Sequence, residues 1–147
     1  MSNIHPRYQS YIILLFSLML LNYGRAQNPS SKTDSLLKKL NNSTEDSSKI
    51  KIFLEVGNAN INTLPDTALY FYQQALTLAT NKGIKKLMAS SYRYIGSIYS
   101  AKGSYNKAIE NFLKSKDIFK ELADNLGMAK CFNAISSGSV MAVRLTL

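Results

Sequence analysis

The amino-acid sequence predicts an all-α chain, an α-α superhelix of antiparallel helical hairpins with about two and a half repeats. The first observation behind this is an internal echo at a spacing of forty. Ala68, Leu69, Tyr72, Ala75 and Leu78 answer to Ala108, Ile109, Phe112, Ser115 and Ile118, while Met88, Ala89, Tyr92 and Ile95 answer to Met128, Ala129, Phe132 and Ile135. A fixed period of about 20 to 50 residues marks a solenoid, in which each unit buries its apolar face only by stacking on the next. The second observation is that apolar residues recur at helical spacing rather than in strand-like alternation. The third is the turn signals, which come every 12 to 18 residues or so and cut the chain into helix, tight turn and helix.

The elements follow in order. Gln27–Lys32 is polar and contains a proline, which suits a linker. A short helix follows, with Thr33 or Asp34 as its cap, Leu36, Leu37 and Leu40 as its apolar side, and Asn41-Asn42-Ser43 as its end. Ser47 or Ser48 opens a second helix, on which Ile50, Phe53, Leu54, Gly57 and Ile61 share a face. Leu64-Pro65-Asp66 stops it, because proline cannot continue a helix, and Asp66 or Thr67 can cap the next. The third helix spans about Thr67–Thr80, with Ala68, Tyr72, Ala75, Leu76 and Ala79 on one side and Asn81-Lys82-Gly83 as its stop. A fourth begins near Ile84, carries Met88, Tyr92, Ile95, Gly96 and Tyr99, and stops at Lys102-Gly103-Ser104. The fifth covers about Tyr105–Leu122, and a sixth starts at Asp124 or Asn125. Gly57 and Gly96 lie mid-helix, where glycine costs about 1 kcal/mol relative to alanine, so each marks a close approach of two helices.

The 147 residues leave room for one domain, and 46% hydrophobic with 18% charged residues is ordinary for a globular chain. The formal charge of +9 is spread thinly, with no block of like charges and only pairs such as Lys38-Lys39 and Lys85-Lys86. Nucleic-acid binding needs a basic stripe or a reading motif, and the sequence has neither, so no nucleic acid is expected as a partner. Residues 1–26 have the pattern of an export signal: His5 and Arg7, then the apolar run Tyr11–Leu21, then Gly24-Arg25-Ala26 with small residues suited to cleavage after Ala26. The apolar run is short for a bilayer span of about 20 residues, so contact with a membrane is expected only through this segment if it stays uncleaved. The expected location is periplasmic or secreted. No cysteine lies near the cleavage site to carry a lipid. Cys131, the single cysteine, sits on an apolar helical face and reads as a core residue.

Tyr92, Ile95, Gly96, Tyr99, Ala108 and Phe112 have the spacing of the tetratricopeptide repeat, and residues 47–136 resemble that family. The chain departs from its pattern in lacking the tryptophan, in having Ser115 where alanine is usual, and in lacking the closing proline at Lys120. Its period of 40 is longer than the usual one of about 34. An earlier copy is offset by one residue, with Gly57 standing 39 positions before Gly96. Longer units of this kind resemble the variant repeats of exported or membrane-bound bacterial sensors, including histidine kinases and transcription regulators. The resemblance implies a non-catalytic module that binds a protein or peptide, the sensor or interaction part of a signalling protein. Ser136 stands where the third copy should have its glycine, and 137–147 reads as irregular. A truncated gene product is the expected explanation, and the alternative is an apolar edge through which the chain self-associates as a structural scaffold.

The sequence suggests no catalytic constellation, metal site or cofactor. Its only histidine, His5, lies in the signal segment, and the acidic residues fall at caps or exposed faces. In a tetratricopeptide array the first helix of each hairpin lines the concave side. Carrying those positions over gives a partner-binding groove of Lys51, Leu54, Asn58 and Asn62, then Arg93, Ser97 and Ser100, then Lys130 and Asn133. Cations and amides on successive helices can hold a peptide's backbone and acidic groups by charge-assisted hydrogen bonds.

Overall fold

The computed structural model describes residues 31–144, with side chains over 32–137. The expected signal segment and most of the linker lie outside the described residues, as do 145–147. Among the described residues every regular element is a helix: α1 Ser31–Asn41, α2 Asp46–Asn60, α3 Pro65–Asn81, α4 Lys85–Ala101, α5 Tyr105–Glu121 and α6 Asn125–Arg144. From α2 onward each helix packs on the next, and α4 also touches both α2 and α6. No helix among them is long and apolar enough to cross a membrane.

Three inter-helix turns share one hydrogen-bonded geometry. After α3, the Gly83 N–H donates to the Thr80 carbonyl at 3.1 Å and the Ile84 N–H reaches back to Ala79 at 2.9 Å. The same pair of bonds recurs at Gly103 and Ser104 after α4, and at Ala123 and Asp124 after α5. This closure satisfies the last free carbonyls of a helix and requires a left-handed residue. Gly83, Gly103 and Ala123 supply it, at φ of 64°, 73° and 52°. The turns thus repeat every 20 residues, half the sequence period.

Antiparallel packing is also visible in three ion pairs, each of which joins the end of one helix to the start of the helix before it. Lys82 meets Asp46 at 2.8 Å, Lys102 meets Asp66, and Glu121 meets Lys85 at 2.9 Å. All are exposed, so they mark the arrangement more than they stabilise it.

The main core gathers Ile50 and Leu54 from α2, Ala68, Tyr72, Ala75 and Ala79 from α3, and Ile95 and Ile98 from α4. Gly57 faces the Tyr72 ring, and a Cβ on Gly96 would stand 2.8 Å from Phe112 and 3.1 Å from the Ala108 carbonyl. These two glycines are where α2 meets α3 and α4 meets α5. Gly127 makes the same kind of approach to Phe119.

Several boundaries differ from those expected. Helix α1 is already under way at Ser31, so Thr33 and Asp34 lie inside it rather than at its cap, and Thr33 is buried. Helix α2 opens at Asp46 after Glu45. Pro65 occupies the first turn of α3, where its missing N–H costs nothing. The stretch expected to be irregular after Ser136 is helical through Arg144. Poor helix formers such as Ser137, Gly138 and Ser139 each cost about 1 kcal/mol or less, and an established helix adds one hydrogen bond for each further residue. Helix α2 also buries a second face: Ile52 and Val56 pack with Leu36 of α1, and Asn60 donates to the Thr33 hydroxyl at 3.2 Å and the Val56 carbonyl at 2.8 Å.

Candidate functional groove

Helix α4 carries the centre of the candidate surface. Its Ala89, Ser91, Ile95, Gly96 and Ile98 are buried against neighbouring helices, which leaves Arg93, Ser97 and Ser100 on a half-buried remaining face. Ser97 and Ser100 look across to Ala134 and Ser137 of α6, over a floor made by Tyr105 and Phe112 of α5, and together these line a cleft of about 440 Å3. The cleft combines three hydroxyl-bearing serines with an apolar floor. Ser97 Oγ donates to the Arg93 carbonyl at 3.1 Å, and Ser137 Oγ donates to the Asn133 carbonyl at 2.9 Å. Each hydroxyl therefore keeps its lone pairs for a ligand's N–H.

On the α2 side of Arg93 lies an ordered stack. The Arg93 guanidinium carbon is 4.3 Å from the centre of the Tyr94 ring, and Tyr94 stacks on Tyr72 with centroids 5.0 Å apart and planes 12° from parallel. The Tyr72 hydroxyl donates to Asn58 Oδ1 at 2.7 Å. Burial pushes the Tyr72 hydroxyl well above the usual tyrosine pKa, and the neighbouring Tyr94 adds to the effect, so it stays a neutral donor. Arg93 makes no ion pair with a carboxylate among the described residues. A guanidinium held flat on an aromatic face keeps its planar fork of donors available in one orientation.

The structure separates the nine residues picked from the sequence. Ser97 and Ser100 line the cleft. Arg93 and Asn58 belong to the adjoining stack, although Asn58 already spends its carbonyl oxygen on Tyr72. Lys51 is exposed on α2, and Lys130 and Asn133 are exposed on α6. Asn62 lies in the turn after α2 rather than on a helix. Leu54 is a correction: at 8% exposure it is part of the core with Ile50 and Tyr72, because α2 is covered by α3 on that side.

Sequence reasoning missed Ala134 and Ser137, and it set Tyr94 and Tyr105 aside as members of an aromatic set better read as core packing than as a stacking platform. The forty-residue spacing could have found Ser137, since it is the image of Ser97. Among the described residues no three His, Cys, Asp or Glu side chains converge as a metal site. Chemically, the surface offers one oriented cation, several hydroxyls and apolar floor, which is a set suited to holding an extended chain. No protein-family model matches the sequence, and no curated protein matches it.

Proposed function

We propose that the chain is a non-catalytic binding module of the tetratricopeptide type, exported, and the sensor or interaction part of a bacterial signalling protein. Its α-α superhelical repeats present the groove along α2, α4 and α6 to a protein or peptide. The observation that carries this reading is the cleft in which Ser97 and Ser100 of one repeat face Ala134 and Ser137 of the next. Burial at equivalent positions supports the repeat. Ala68 and Ala108, Tyr72 and Phe112, Ala75 and Ser115, and Ser91 and Cys131 are all buried forty residues apart. Binding works by a preformed surface: serine hydroxyls take the ligand's backbone N–H groups, the half-buried Tyr105 takes an apolar side chain, and Arg93 takes an acidic one.

A displayed peptide library panned against the purified chain tests this. Enrichment of peptides that pair an apolar with an acidic residue is expected. Filling the cleft with Ser100→Trp should weaken their binding at least tenfold while circular dichroism stays unchanged. No enrichment, or binding indifferent to both Ser97→Trp and Ser100→Trp, overturns the reading.

A further inference from the structure

Helix α6 has a face that no other described helix covers. On α4 the corresponding residues are Ala89, Tyr92 and Gly96, and α5 covers them: the Ala89 carbonyl accepts from Ser115 Oγ at 2.7 Å, and Gly96 meets Phe112. Forty residues on, Ala129, Phe132 and Ser136 are exposed, with Phe132 at 55%. Leu126, one turn before, is 66% exposed, and Leu122, just across the turn, is 39% exposed.

These leucines are also departures from the repeat. Leu122 and Leu126 stand where the previous unit has Lys82 and Lys86, both of which are in ion pairs. Leu126 thus puts an apolar side chain on the face of α6 that no other described helix covers. Leu126, Ala129 and Phe132 therefore form an apolar strip at helical spacing on α6.

The strip has a basic margin. Lys116 places its ammonium 5.8 Å from the centre of the Phe132 ring, and Lys120 follows it one turn later on α5. Lys130 lies on the other flank, on α6. Lys116 is partly neutralised by Asp117 at 3.2 Å, while Asp124 and Glu121 are already paired with Lys86 and Lys85. Lys120 and Lys130 make no ion pair among the described residues, although the Lys130 charge also acts on Asp124. A second copy of this chain would bring the same lysines against these, with repulsion that the chain's net charge of +9 increases.

We infer that the face of α6 carrying Leu126, Ala129 and Phe132 is a second binding surface, separate from the groove, whose partner is an amphipathic helix with an apolar stripe flanked by acidic side chains. The helical shape follows from the register, because α5 covers the equivalent face of α4. The helix's small and aromatic residues would repeat the order Ala108, Phe112, Ser115, Phe119. The acidic flanks follow from the lysines.

The test uses the full chain and two synthetic peptides. One has the sequence of α5, Tyr105–Glu121; the other keeps its apolar positions and has glutamate at the four lysine positions 107, 114, 116 and 120. The acidic peptide is expected to bind at least tenfold more tightly than the parent, and the preference should shrink in high salt. Phe132→Ser and Leu126→Ser, both at exposed sites, should each weaken binding of the acidic peptide tenfold or more with the circular dichroism unchanged. Lys120→Glu with Lys130→Glu should reverse the preference. Equal binding of the two peptides, binding of neither, or a dimer in sedimentation that Phe132→Ser dissolves would overturn the proposal, the last by identifying the occupant as a second copy.

Discussion

Ala123 holds a left-handed conformation that the two equivalent turns assign to glycine, at φ of 52° against 64° for Gly83 and 73° for Gly103. The Cβ costs an L-residue about 1 to 2 kcal/mol there, partly offset because glycine loses more chain entropy on folding. Ala123→Gly should therefore stabilise the chain by about 0.5 to 1 kcal/mol in urea denaturation, and a loss of stability would mean that this turn is not strained. Gly96 is the opposite case. With Phe112 and the Ala108 carbonyl so near, Gly96→Leu forces α4 and α5 apart and should cost on the order of 1 to 3 kcal/mol. Unchanged thermal unfolding of that variant would refute the close approach.

At the scale of the element, α6 is distinguished by its start. Asp124 accepts the Gly127 N–H at 2.8 Å, an N-terminal cap, and Lys86 lies 3.1 Å from its other oxygen. For α2 to α5 no side chain caps the first turn. The Gly127 N–H first, and then Lys86, hold the Asp124 carboxyl below the ordinary value of 3.8. Because the folded state binds this proton less readily than the unfolded chain, the cap's contribution is complete above that value. It is lost as pH falls through the lower folded pKa. The melting temperature of the native chain should thus fall more steeply on acidification below about pH 4 than that of Asp124→Asn, whose amide caps at any pH. Parallel acid limbs for the two proteins would contradict this. Helix α1 is held by Leu36 against Ile52 and Val56 and by the hydrogen bond from Asn60 to Thr33. Leu36→Ala should cost about 2 kcal/mol and speed amide exchange in α1 and α2 while leaving α4 and α5 protected.

Among the described helices, contacts run mainly from each helix to its near neighbours, which predicts that one end can open without the other. Cys131 reports on this directly. It is the only cysteine of the chain, it is fully buried, and its thiol donates to Ser115 Oγ at 3.2 Å. A thiol reagent should label it through opening of α6 alone, with an opening free energy below that of global unfolding. Labelling that tracks global unfolding would instead make the unit fully cooperative. The reagent is selective because no other thiol competes.

How much of this was legible in the sequence depended on whether a feature is local. The all-helical class, the number of helices from α1 to α6, and the core positions Ala68, Tyr72, Ala75 and Phe112 could be read directly, because helical spacing and a forty-residue echo are properties of the chain itself. The stops at Gly83 and Gly103 were readable for the same reason. Ala123 was not, since alanine carries no turn signal and takes its conformation from the bonds that close α5 onto α6. The second buried face of α2, with Ile52 and Val56, was hidden because its cover, α1, is short and lies outside the repeat. Tertiary structure also divided the groove residues. Leu54 went into the core because α3 lies over it, while Ser97 and Ser100 became lining only where α6 comes to stand opposite α4. The sequence by itself determined the helices and the repeating core face of α3 to α5, through periodicity and turn chemistry. Only the packing of one helix on another decided which exposed positions share a surface, because that depends on side chains brought together from forty residues apart.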